Sequence, residues 1–166
     1  QQTKPDKTSY CGIISSVAAS DYHKGQVKIH EQTLASRELI FENYLKNTGF
    51  NPEPVLLTYP DNHSIEGIIQ KYLQKRAEYE FTSMDKDSHL LWLVEDVNDV
   101  NKIVGEFAKI KTLYIADGHH RTTSSCLLAQ HLAEQDLNHT GKEAYNYFMS
   151  YLLPSSQISV YEFNRF

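Results

Sequence analysis

Four short apolar runs, each bounded by turn-forming residues, are separated by longer stretches whose apolar residues recur every three or four positions. The runs are "CGIISSVAA" (11–19), "PVLLTY" (54–59), "LLWLV" (90–94) and "TLYIA" (112–116), and each reads as a strand. The spacing predicts a helix over 34–47, carrying Leu34, Ile40, Tyr44 and Leu45, with Thr33 as its cap and Gly49 as its stop. A second helix is expected over 64–78, with Ile65, Ile68, Ile69, Tyr72 and Leu73 on one face. A third is expected over 96–109, opening at Asp96. Further helices are predicted from Gly118 to about residue 137 and over 142–152, where Pro154 ends the last one before a terminal strand "ISVYEF" at 158–163. Strands interleaved with helices leave an α/β or α+β domain as the fold class. A length of 166 residues leads us to expect one domain over 1–166.

The net charge of -5 and pI near 5.9 lack the basic footprint of a nucleic-acid binder, so no nucleic-acid partner is expected. No apolar run approaches the ~18 residues of a membrane span, and Gln1-Gln2-Thr3-Lys4-Pro5 is too polar for a signal segment. Cys11 and Cys126 are far apart and form no CxxC pair. Free thiols in a reducing cytoplasm are therefore expected. The chain begins without Met, which suggests processing or an internal piece of a longer protein.

The segment "YIADGHHRTTSS" (114–125) runs from an apolar strand end into three basic side chains. Asp117-Gly118 is a turn signal, with Asp117 able to cap the following helix and Gly118 able to admit a close backbone approach. His119, His120 and Arg121 then fall in the first helical turn, where the dipole and unpaired N–H groups already present positive potential. Cations there cost roughly 0.3–1 kcal/mol each unless an anion is held between them and the backbone. An anion site is the expectation, against the plainer reading of a capped helix with exposed or neutral basic residues. Adjacent helical residues point about 100° apart, so His119 and His120 are poorly placed to share a metal.

A second constellation, "KIHEQT" (28–33), supplies Lys28, His30 and Glu31, with Arg37 in the helix after it. Beside a phosphate site, a carboxylate can deprotonate a hydroxyl or hold Mg²⁺, and the cations can neutralise phosphoryl charge. The same alternation also describes a half-exposed strand. The HExxH zinc motif, the Walker A loop, the G-x-S-x-G elbow and the G-x-G-x-x-G fingerprint are all absent from the sequence.

Taken with "GFNPEPVLLTY" (49–59) and "YEFNRF" (161–166), these two segments resemble the domain of unknown function 1015 family, which is similar to the free-serine kinases of the ParB/sulfiredoxin-like superfamily. The resemblance implies a mixed sheet with flanking helices. It implies that Gly118, Arg121, Thr122 and Thr123, with Lys28, His30 and Arg37, hold nucleotide phosphates. Glu31 would act as base, with Asp117 as runner-up through Mg²⁺ or the substrate, and His119 and His120 would lie at the reacting centre. ATP or ADP with Mg²⁺ is the expected cofactor, and a small hydroxylated metabolite the expected acceptor; a non-catalytic nucleotide-binding or switch module is the alternative. Relatives carry a longer N-terminal segment, so self-association through an uncovered surface is expected. Where relatives have an arginine in the first helix this chain has Phe41, and Arg37 is the candidate substitute.

Overall fold

The run Val55-Leu56-Leu57-Thr58-Tyr59 buries Val55, Leu57 and Tyr59 and turns Leu56 and Thr58 to the other face, the period-two pattern of a strand inside a sheet. It belongs to a mixed α+β fold in the computed structural model, which describes residues 1–31 and 34–159. The strands are β1 (Gln2–Thr3), β2 (Ser9–Tyr10), β3 (Ile13–Ala18), β4 (Val27–Lys28), β5 (Val55–Tyr59), β6 (Tyr79–Thr82), β7 (Ser88–Leu91), β8 (Leu113–Asp117) and β9 (Tyr147–Pro154). The helices are α1 (Ala19–His23), α2 (Ala35–Thr48), α3 (His63–Leu73), α4 (Val97–Phe107) and α5 (His119–Gln135). The described residues fall into two compact units, the first within 1–12, 60–110 and the stretch from 153 onward, the second within 13–59 and 111–152.

In the first unit a four-stranded sheet has the order β2-β1-β7-β6. Its helices begin where the sequence supplies caps. Asn62 accepts from the N–H groups of Ser64 and Ile65 at the head of α3, and Asp96 accepts from those of Asn98 and Asp99 at the head of α4. Ile65, Ile68 and Tyr72 bury one face of α3, as their spacing predicts. Lys71 and the Tyr72 hydroxyl both donate to Asp99, tying α3 to α4.

The second unit holds a five-stranded sheet of order β3-β9-β5-β8-β4, with β3/β9 and β5/β8 antiparallel and β4/β8 parallel. Leu57, Ile115 and Phe148 are almost fully buried in it. Helices α2 and α5 are joined by a Ser124 hydroxyl bond to the Glu38 carbonyl and by a 2.5 Å contact between His131 Nδ1 and Glu42. Gly49 ends α2 in the left-handed region, at φ 72°.

Several boundaries differ from the sequence expectation. The helix predicted over 142–152 is instead a short 3-10 turn, Ala144–Asn146, followed by strand β9. Its aromatic residues recur at spacings that also suit a helix, and six residues of pairing with β3 decide the matter. α3 stops at Leu73, and Tyr79–Thr82, in an exposed period-two run, pairs with β7 as a hairpin. The first strand covers only Ile13–Ala18 of 11–19, and Ala19 opens α1. β7 covers Ser88–Leu91, so Trp92–Val94 lies beyond it, with the Trp92 indole N–H donating to the Lys75 carbonyl. Leu34 is the residue at the head of α2, and the expected cap Thr33 lies outside the described residues. The terminal strand predicted at 158–163 falls outside them from residue 160 onward. Among the described residues both cysteines are free thiols, and no helix is long and apolar enough to cross a membrane.

Candidate functional site

β8 delivers the DGHHR segment to the sheet margin with a local irregularity. Leu56 faces Asp117 while Leu57 faces Ile115, so Ala116 is an extra residue on β8. Such a bulge bends a strand end and re-aims the residues beyond it. Asp117 closes the strand, and Gly118, at φ 95°, makes the turn into α5. The cap of α5 is therefore Gly118, not Asp117, and among the described residues no side chain accepts from the first-turn N–H groups. The Thr122 N–H is the first to find a partner inside the helix, the Gly118 carbonyl.

Asp117 is engaged elsewhere. Its carboxylate accepts from Arg121 Nη2 at 2.6 Å, while Arg121 Nη1 donates to Glu53 at 2.8 Å and to the Pro54 carbonyl at 3.0 Å. The guanidinium lies across the turn, so a Cβ at position 118 would meet Arg121 Nε at 3.1 Å. Glycine is needed at this position both for its φ and for this approach.

His119 is buried, at 7% exposure, and its Nε2 has no hydrogen-bond partner among the described residues. Its Nδ1 lies 4.0 Å from Glu31, and the His30 ring meets it edge-on at 4.3 Å between centroids. Burial, reinforced by the neighbouring His30 and His120, pushes the His119 pKa below its ordinary value, against the opposing pull of Glu31 and Asp117. The three basic residues at this helix start are thus not three free cations: burial disfavours the charged form of His119, and Arg121 is matched by two carboxylates. His120 is half-buried, with Nδ1 likewise unpartnered.

The structure brings together Glu31, His30, Asp117, Gly118, His119, His120 and Arg121. Other expected residues have different company. Thr122 is fully buried and its hydroxyl donates to the Gly118 carbonyl, while the Thr123 hydroxyl shares a bond with the Tyr22 hydroxyl. Lys28, on β4, folds its ammonium back over Gly25. Arg37 is exposed on α2, and no hydrogen bond or ion pair among the described residues draws it to the helix start. Sequence reasoning missed Glu53, whose only signal was an acid in the turn "NPEP" ahead of β5.

A separate group, Asp136, His139 and Glu143, has ligand atoms within 4.8 Å of one another. Glu143 already accepts from the Thr140 hydroxyl and N–H, the Gly141 N–H and the Asn146 amide, and the Thr140 bonds hold its pKa down at about 2. Desolvation and a bond to Asp136 push Tyr145 up to about 12. These contacts clasp a loop and leave the carboxylate little capacity for an ion.

No curated protein and no solved structure matches the chain. Matched over residues 1–166 by the model described as "Protein of unknown function (DUF1015)", the chain belongs to that family.

Proposed function

We propose that the chain binds a nucleotide through its phosphates at the start of α5 and transfers a phosphoryl group to the hydroxyl of a small metabolite, in the manner of the ParB/sulfiredoxin-like free-serine kinases. The observation carrying this reading is an uncapped start to a 17-residue helix whose first residue is a buried histidine with an unpartnered Nε2 and whose entry turn is crossed by an arginine. Open N–H groups and the helix dipole favour an anion. Asp117 and Glu53 are about 70% exposed, and exposed ion pairs contribute only about 0–1 kcal/mol each. A phosphate that also receives backbone N–H groups competes well for Arg121.

In the proposed reaction, Glu31 takes the acceptor's proton as the hydroxyl oxygen bonds to the terminal phosphorus and the bond to the nucleotide's bridging oxygen breaks. The phosphorylated metabolite and a nucleotide one phosphate shorter leave. Mg²⁺ would offset phosphoryl charge. Asp117 or Glu31 would hold such an ion together with phosphate oxygens.

Calorimetry with pyrophosphate, ADP and ATP, with and without Mg²⁺, tests binding, and mass spectrometry of products from hydroxylated acceptors tests transfer. Arg121→Ala should weaken pyrophosphate and nucleotide about tenfold or more, as expected for a charge-assisted contact worth roughly 1.5–3 kcal/mol. Unchanged affinity in a folded Arg121→Ala chain would rule out this site. Binding without turnover on any acceptor would favour the switch-module alternative.

A further inference from the structure

On the other side of Arg121 lies a cavity of about 350 Å³, between α2 and the turn leading into β5. Phe41, Tyr44 and Leu45 lie on one face of α2 and form an apolar wall, and Ser125 lies one turn beyond Arg121 on α5. The volume falls at the lower end of the ~300–1,000 Å³ typical of small-molecule sites.

Two polar groups in this wall have no partner among the described residues. Ser125 is 94% buried, taking the complement of its 6% exposure, yet its hydroxyl makes no bond, not even to the carbonyl one turn back that commonly receives a helical serine. The half-exposed Asn51 amide, which also lines the cavity, has no hydrogen bond within the described residues. A buried hydroxyl left without a partner is disfavoured unless something else satisfies it. Arg121 lines this cavity and also crosses Gly118, so one side chain belongs to both the cavity and the helix start.

We infer that this cavity seats the heteroaromatic base of the ligand whose phosphates occupy the α5 start. The inference rests on the proposed phosphate site. A planar ring is the occupant that matches an aromatic wall together with isolated polar groups: Phe41 and Tyr44 offer their shared wall to one of its faces, and the Asn51 amide offers a donor beside an acceptor to its edge. Glu53, bonded to Arg121 and lining the same cavity, is placed to accept from the sugar hydroxyls between base and phosphate.

Calorimetric titration of the chain with pyrophosphate, ADP and adenosine separates the two halves of the ligand. ADP should bind at least about tenfold tighter than pyrophosphate. Phe41→Ser and Asn51→Leu should each remove most of that advantage while leaving pyrophosphate affinity unchanged; both positions are partly exposed, so neither change should unfold the chain. Saturation-transfer NMR on wild-type protein should mark the base protons of ADP more strongly than its ribose protons. If ADP binds no tighter than pyrophosphate, or both variants keep the wild-type preference, the base pocket is wrong and the phosphate site stands. Adenosine binding without pyrophosphate binding would keep the pocket and overturn the phosphate site. If none of the three binds, both fall.

Discussion

At the scale of single residues, His119 links burial to pH. Its folded pKa is depressed, so on acidification below the ordinary histidine value of about 6.5 the unfolded chain takes up a proton that the folded chain refuses. Stability attributable to His119 is complete above that pH, falls as pH drops through it, and levels off below the folded pKa. Urea unfolding at pH 7.5 and 5.5 should show a smaller acid loss in His119→Gln than in the parent chain; equal losses would show that other groups carry the effect. Gly118 gives a complementary case. Gly118→Ala should cost about 1–2 kcal/mol for the left-handed backbone alone, with a further cost from the 3.1 Å approach of Arg121. Adding Arg121→Ala should relieve only the second part, and thermal or urea melts of the two single variants and the double variant measure the split.

At the scale of elements, the sequence was most legible where one periodicity stood alone and a cap marked the boundary. Asn62 and Asp96 head α3 and α4 through their own side chains, and Gly49 stops α2 by its backbone. β9 was illegible because Tyr147, Phe148, Tyr151 and Leu152 satisfy helical spacing, while the alternating burial of Phe148, Ser150 and Leu152 emerges only once β3 lies alongside. Phe148 is fully buried in that strand, and Phe148→Ala should destabilise the fold by about 3–5 kcal/mol, read from chemical denaturation. A loss below about 1 kcal/mol would argue against β9 as a core strand. The candidate site divides in the same way. The turn at Gly118 could be read from two letters, Asp-Gly, but the bulge at Ala116, the partnership of Arg121 with Glu53 and the unbonded hydroxyl of Ser125 arise from tertiary neighbours.

At the scale of the whole molecule, the second unit collects its site from distant stretches: residues 30–31 before α2, 41–53 along and after it, and 117–125 across the β8–α5 junction. The sheet beneath them sets a schedule. In the order β3-β9-β5-β8-β4, the strand separating β3 from β5 is the last to be translated, and Ile13 must wait for Leu152 before its row can pair. On the ribosome the nascent chain therefore carries unsatisfied margins on β3 and β5 until β9 emerges, a form open to misassembly and to capture by chaperones. Closure of this sheet thus waits for β9, even though the turn that anchors its site has emerged about thirty residues earlier, as 118 against 147 shows.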